Sequence, residues 1–480
     1  MSKAMWCGVM VAAIMTSAAM GEGGPIKVDE KTTIGKNPCA KIAWTDAAGK
    51  VRTAGILVEG GKDKNLGGYI VDYTYFAGDT LRTLKGGTGF GYIVMHGAHP
   101  RGWANSTIPE DSKKVVYSLP IHGANHVVYR AVVDVATVKG TVPVTVDYFF
   151  RTGRSDFVYA ITFDSKDTHP TKPDDPKDKG LVADTRTPYV DWDWEGNGNI
   201  GGDLSGCGWA SANKQFRTTD DKLSAKSSWD WTKDCVIPHI IEWKSKDMGD
   251  AEIGLVQTQT YAQHDAGSGW WLKAVGTKGK GLCENWNFTY QLNAYQGYSS
   301  KRVTWMMPYG AVGSEAYDVF DYKRKASGKP WQCYALLCVL DRYSDGGVDA
   351  SVAEMETVQT QCKLTATTGA VALKGPAGAG RTDEAAYAPA GWDQVYAMWT
   401  VACAGNAAAC NLEIAEGTLA GQTFSFTGYT AAAAPKSVSL NGKTLAEGKD
   451  YFASLDAAGK RVLITIAEKL TGPKNLVEIK

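Results

Sequence analysis

Histidine, carboxylate and tryptophan residues crowd into one stretch of the chain. His264 and Asp265 are adjacent in a glycine-containing segment that ends on Trp270 and Trp271, and Glu284 follows just ahead of Trp286 and Asn287. Tyr290, Lys301, Arg302 and Tyr309 come next. A histidine beside Tyr and Lys or Arg can abstract the proton next to a uronate carboxyl, which is lyase chemistry, whereas a pair of carboxylates can serve glycoside hydrolysis. Asp265 and Glu284 are the first carboxylates to test. His96 closes an apolar strand pattern, a place from which strands deliver side chains to a rim, with His99 beside it. His122 and His126 are weaker candidates. Any one of these groups, taken singly, is more often structural than catalytic.

Aromatic density is the second signal. Eleven of the sixteen tryptophans fall between residues 192 and 331. Sugar rings present flat C–H faces that stack on aromatic rings, while Asp, Asn, Glu and Arg engage the hydroxyls. Trp192 and Trp194 alternate with Asp191, Asp193 and Glu195; Trp229 and Trp231 bracket Asp230. Trp270, Trp271, Trp286, Asn287 and Tyr309 are the expected sugar contacts. A tryptophan that fills an inter-sheet core is the ordinary alternative for each of them. The cluster as a whole predicts that part of it lines a groove.

Asp191, Asp193, Glu195 and Asn197 alternate around Gly196. Oxygen ligands spaced in this way around a turn are how calcium loops surround one cation. The EF-hand pattern fails, because Gly202 stands where its bidentate Glu belongs and no helices flank the loop. The expectation is a calcium clip of another kind, with a solvated polar turn as the alternative. A serine nucleophile elbow, a phosphate loop, a dinucleotide fingerprint and a His-Glu-x-x-His motif are all absent from the sequence.

The 51 basic and 51 acidic residues cancel, which leaves no electrostatic footprint for nucleic acid or an anionic membrane. Lys3, an apolar run over 4–15 and the small residues Ser17, Ala18 and Ala19 make residues 1–20 read as a secretory signal peptide. Cys7 lies inside that run, away from any lipobox. No later apolar stretch approaches the length of a membrane span, so a secreted protein without membrane insertion is expected, whether extracellular, periplasmic or at the cell surface. Nine of the ten cysteines follow residue 20. An odd number leaves at least one thiol free or paired between chains. Cys403 and Cys410 flank a small, flexible loop and are the expected local disulfide.

Elements with a period of two must position these groups. Alternating runs recur at 69–75, 90–96, 127–135, 142–150, 157–163, 237–243, 253–260, 302–307 and 334–340. Short strands separated by Gly, Asp, Asn and Lys turns are the signature of sandwiches and barrels, and a βαβ fold is excluded. One helix is expected, with Ser351 and Glu354 at capping-box spacing and Val352, Met355 and Val358 on one face. It closes a large domain over 21–372. A linker follows at 373–390, rich in Gly, Ala and Pro, and then a sandwich of immunoglobulin size at 391–480, with Asn441-Gly442 as a tight turn.

The succession of strands followed by the run Val438-Ser-Leu-Asn-Gly-Lys443, Gly448-Lys-Asp-Tyr-Phe452 and Val462-Leu-Ile-Thr-Ile466 resembles secreted bacterial carbohydrate-active proteins of β-supersandwich (galactose-mutarotase-like) architecture. That resemblance implies an all-β fold: a large antiparallel β-(super)sandwich followed by a small immunoglobulin-like β-sandwich. With the aromatic cluster it points to a secreted polysaccharide-degrading enzyme, lyase or hydrolase, whose partner is a glycan. A non-catalytic carbohydrate-binding or cell-surface structural protein is the alternative. The resemblance transfers no catalytic residue.

Overall fold

A computed structural model of the chain describes residues 24–35, 37–58, 68, 70–85, 92–99, 102–104, 115–137, 140–164, 186–191, 197–198, 205–211, 214–218, 237, 239–246, 250–260, 290–292, 303–305, 331–376, 378–380 and 384–480. The expected signal peptide lies outside them. The fold is all-β, built from several largely antiparallel sheets, with one long helix among the described residues.

The central layer is a nine-stranded antiparallel sheet. From one edge its strands are Lys214–Thr218, Gly206–Ser211, His239–Lys244, Ala251–Gln257, Trp331–Asp341, Phe157–Asp164, Gly140–Arg151, His126–Thr137 and Val116–His122. In the middle of this sheet alternation gives way to unbroken burial. Ala251–Gln257 is buried at every position, as are residues 335–340. Strands covered on both faces need apolar side chains in both directions.

One face packs on an N-terminal sheet that includes Asn37–Thr45, Val51–Leu57 and Ile70–Ala77. Trp44 meets Phe150 at 5.0 Å between ring centroids, and Tyr73 meets Phe157 edge-on at 5.2 Å. The opposite face carries the cross-strand series Phe149, Val158, Leu337 and Val256. It packs under the helix Gly347–Gln361 and the C-terminal strands as one continuous core that includes Val352, Met355, Trp399, Phe424 and Leu463.

The helix lies where the 3.6-residue pattern predicts, with Val348, Ser351, Val352, Met355 and Val358 buried. Its start differs. Gly346, in the left-handed region, is the N-cap, and Ser351 sits inside the helix, donating to the Gly347 carbonyl at 3.0 Å. The helix runs along Ala251–Gln257. Val348 N–H donates to Glu252 Oε1 at 2.8 Å, and Gln359 donates to the Thr258 carbonyl at 2.9 Å. Eleven helical rises and six strand rises span a similar length, about 17 and 20 Å, so both ends can be tied down together. Gly254 permits the close approach, because a Cβ there would stand 2.6 Å from Val348.

The C-terminal region is two sheets. One is ordered Cys362–Thr368, Ala408–Ile414, Leu476–Ile479, Val438–Leu440, Lys443–Thr444. The other contains Met398–Ala402, Gln422–Thr427, Arg461–Ile466 and Tyr451–Asp456, with the first two parallel. Asn441 and Gly442 both have positive φ, 53° and 82°, as the tight turn requires. Two boundaries differ from expectation. Cys362–Thr368, expected in the large domain, belongs to the C-terminal sheet. The 373–390 stretch, expected as a linker, contains a hairpin of Lys374–Pro376 with Glu384–Ala386. Ala379 within it donates its N–H to Asp147 Oδ2 at 2.8 Å, and Asp147 also accepts from Arg130 and, at 2.6 Å, from the Tyr396 hydroxyl. A buried carboxylate with these partners anchors the stretch to the central sheet.

The expected Cys403–Cys410 disulfide is absent; both are free thiols. Cys410 points into the core from Ala408–Ile414. Cys403 follows Met398–Ala402 in the other sheet, where its N–H donates to Thr427. Short sequence spacing brought the two close, but the chain crosses between sheets within it.

Candidate functional site

A cavity of about 540 Å³ opens where the three layers meet. The turn after Asn37–Thr45 supplies Asp46, and the hairpin turn after Arg151 supplies Gly153, Arg154 and Asp156. The central strand ends on Asp341, the helix begins at Gly347, and the C-terminal sheets contribute Gly421, Lys449 and Phe452. Gly153 is at φ +87°, and a Cβ there would stand 2.9 Å from the Phe452 ring. The turn must therefore bear a glycine for the aromatic wall to close over it.

The floor is ionic and largely self-satisfied. Asp46 accepts the N–H groups of Ala48 and Lys50, each at 2.9 Å, and Arg52 Nε at 2.8 Å. Arg52 also donates to the Leu340 carbonyl at 2.9 Å and approaches Asp341 Oδ1 at 3.8 Å. Arg154 spends its fork on Asp156, on both oxygens of Glu354 and on the Ala420 carbonyl. Glu354 accepts from Gln422 at 2.7 Å, and Gln422 accepts from Trp399 Nε1 at 3.0 Å. Burial opposes the charge of Asp156, but Arg154 and Arg151 outweigh it and hold the carboxyl below its usual range.

Asp341 and Glu252 are direct cross-strand partners. Two carboxyls opposite each other on one face repel if both ionise. Burial pushes Glu252 up to about 8, countered by the Val348 N–H and reinforced by Asp341 and Asp349. Asp341 is raised too, by burial, against Arg52. Glu252 is 0% exposed and lies beneath the helix start. Its Oε2 has no hydrogen-bond partner among the described residues. Asp341 is 24% exposed and reaches the cavity.

A second buried set joins the layers nearby. His126 bonds Ser454 Oγ at 3.0 Å and Thr465 Oγ1 at 2.8 Å, and Asn125 donates to the Ala453 carbonyl. Burial, with Arg151, depresses His126 to about 3, so it stays neutral and serves as a staple.

Besides His99 and the weaker candidates His122 and His126, four of the residues expected in the catalytic, sugar-binding and calcium sites are placed on strands. His96 lies in Tyr92–His99, opposite Arg186, and Asp191 ends Arg186–Asp191, opposite Tyr92. Asn197 pairs with Lys85 in the N-terminal sheet, and Tyr290 pairs with Trp305 in a separate two-stranded sheet. These four are spread over three sheets. Asp193, Glu195, His264, Asp265, Trp270, Trp271, Glu284, Trp286, Asn287, Lys301, Arg302 and Tyr309 lie outside the described residues. Among the described residues, no group of His, Cys, Asp and Glu is arranged to hold a metal ion, and no helix is long and apolar enough to cross a membrane.

Sequence reasoning missed Asp341, Glu252 and Arg154. The available signal was a charge inside or ending an otherwise apolar strand: Glu252 before Ile253, Asp341 after Leu340. In a strand covered on both faces such a group needs a partner or a proton.

The fold and cavity define an all-β protein with an ionic, partly open pocket at a junction of sheets. No protein-family model matches the chain, and no curated protein matches it.

Proposed function

We propose that the protein acts on carbohydrate outside the cytoplasm. It engages a glycan through the aromatic and polar residues of the 261–330 stretch and cleaves it by lyase or hydrolase chemistry, with His264, Asp265 and Glu284 as the reacting groups. One observation supports this reading above others. Ala251–Gln257 and Trp331–Asp341 are adjacent antiparallel strands, yet residues 258–330 stand between them. A hairpin needs roughly 2–5 residues, and an insertion far beyond that is characteristic of functional loops. Every candidate from His264 to Tyr309 belongs to this single insertion, which leaves and re-enters the middle of the central sheet between two neighbouring strands. A bound calcium ion on Asp191, Asp193, Glu195 and Asn197 would fit the same extracellular setting. A chelator should then lower the melting temperature and excess calcium should restore it.

A binding role without turnover is the second reading. It is favoured by the junction cavity, where nearly every charged group is committed to another protein group. Purified protein should be screened on a panel of polysaccharides. Reducing ends, the ultraviolet absorbance of unsaturated uronate products, and retention of the protein by each polymer would be followed together. Cleavage supports the enzyme, and retention without cleavage supports the binding role. Neither cleavage nor retention on any polymer would overturn the carbohydrate reading.

A further inference from the structure

Among the carboxylates at the junction cavity, Asp341 is the one that no cation among the described residues holds closely. Asp46, Asp156, Asp341 and Glu354 stand among three guanidinium groups, those of Arg52, Arg151 and Arg154, and Lys449 also lines the cavity. Arg154 and Arg151 are taken up by Asp156 and Glu354, and Arg52 is held by Asp46 at 2.8 Å. Asp341 is left with the 3.8 Å approach of Arg52 and the Arg342 N–H at 3.0 Å, both on Oδ1. Its Oδ2 accepts no hydrogen bond from a described residue. Oδ2 faces the helix start, where Gly347 has no side chain; a Cβ there would stand 3.2 Å away. Lys449, on the rim, pairs with no carboxylate among the described residues.

We propose that this cavity is a binding site for a small organic cation. The ligand's primary ammonium donates to Asp341 Oδ2, and its ring or carbon skeleton packs against Phe452. The volume of about 540 Å³ is in the range of small-molecule sites, which favour junctions between structural units. An ammonium supplies both the donor and the charge that Asp341 lacks. A neutral hydroxyl supplies only the donor. Buried charge-assisted hydrogen bonds are about twice as strong as neutral ones, so the difference should reach roughly tenfold or more in affinity. Glu252 does not compete for this role, because it lies sealed beneath the helix and keeps its proton near neutral pH. The inference does not depend on the glycan reading, which concerns a different part of the chain.

The ammonium could be carried by an amino sugar or by an aliphatic amine, and paired probes separate the two. Titration calorimetry on the full protein near neutral pH would compare glucosamine with glucose, and cyclohexylamine with cyclohexanol. At least one ammonium probe is expected to bind tenfold or more tightly than its neutral counterpart, and the pair that does so identifies the skeleton. Asp341→Asn should remove that preference. Because Asp341→Asn also disturbs Arg52, Lys449→Glu serves as a second variant. It leaves the floor intact and should tighten ammonium binding severalfold. Equal binding within both pairs, binding by none of the four probes, or a preference that survives Asp341→Asn would overturn the proposal.

Discussion

Arg154 and Glu354, separated by 200 residues of sequence, meet as a two-point pair at 2.8 and 3.0 Å. Through Asp156 on one side and Gln422 on the other, the pair joins the hairpin turn of the central sheet to the helix and the C-terminal sheets. Removing one partner of a largely buried pair strands the other, which costs about 3 kcal/mol. Glu354→Ala is expected to lower stability in urea by that order, and Glu354→Gln by less. Since one core crosses the junction, circular dichroism and tryptophan fluorescence should follow a single transition in native protein. Two separated transitions would show that the C-terminal sheets fold on their own.

Opposed pH dependences are expected from buried histidines and a buried acid. Burial depresses His126 to about 3 and His239 to about 4. An unfolded histidine takes a proton near pH 6.5, so the unfolded chain binds protons that the fold refuses, and stability falls as pH drops from there toward 4. Glu252 acts in the reverse sense. Its folded value of about 8 lies above the unfolded 4.5. Its contribution is full below pH 4.5 and is lost as pH rises through 8. Glu252→Gln keeps the acceptor for Val348 N–H while removing the titration. The variant should match native protein in melting temperature near pH 5 and exceed it near pH 9. Parallel profiles would exclude a proton on Glu252.

The contact of Gly254 with Val348 sets how closely the helix can lie. Gly254→Ala introduces a methyl where 2.6 Å is available, an overpacking expected to cost about 1–3 kcal/mol. Val348→Ala removes the obstructing methyls. The double variant should therefore be less destabilised than the two single changes added together, and urea denaturation of the full cycle measures the difference. Simple additivity would mean that the helix shifts freely.

Tryptophans divide into two expected groups. Trp392 is 1% exposed and donates to the Thr258 carbonyl at 3.2 Å. Trp392→Ala should cost roughly 3–5 kcal/mol, the usual effect of cutting a buried aromatic to alanine. Trp271→Ala and Trp286→Ala should weaken glycan retention while shifting the melting temperature by only a few degrees, and Asp265→Ala should retain binding but lose any turnover. Unfolding of both Trp271→Ala and Trp286→Ala would assign them to the core. Full activity of Asp265→Ala would exclude it from the reaction.

Local pattern was enough to locate six of the nine strands of the central sheet, the helix and its buried face, and the Asn441-Gly442 turn, because each depends on side chains within a few residues, but it did not mark Lys27–Ile34, Asn37–Thr45 or Val51–Leu57. Val352, Met355 and Val358 had to share a face once the segment was helical, and Asn441 and Gly442 could accept positive φ wherever they stood. Polar neighbours did not determine exposure. Trp392 lies beside Asp393, and Trp243 between Glu242 and Lys244, yet both tryptophans are buried. Nor did short spacing determine the cysteines, since Cys403 follows a strand of one sheet and Cys410 lies within a strand of the other.

What only the tertiary structure decided is which distant groups meet. Asp46, Arg154, Asp341 and Lys449 come from four separate parts of the chain, and no periodicity links them. Glu354 looked like half of a helix cap because Ser351 stood three residues before it. In the fold it turns instead to Arg154. The physical reason is one of range. Strand and helix patterns record the contacts of a residue with its own element, whereas an ion pair between layers depends on how whole sheets stack. Sheet stacking is set by the summed burial of many apolar side chains, so the sequence near Arg154 or Asp341 cannot name their partners.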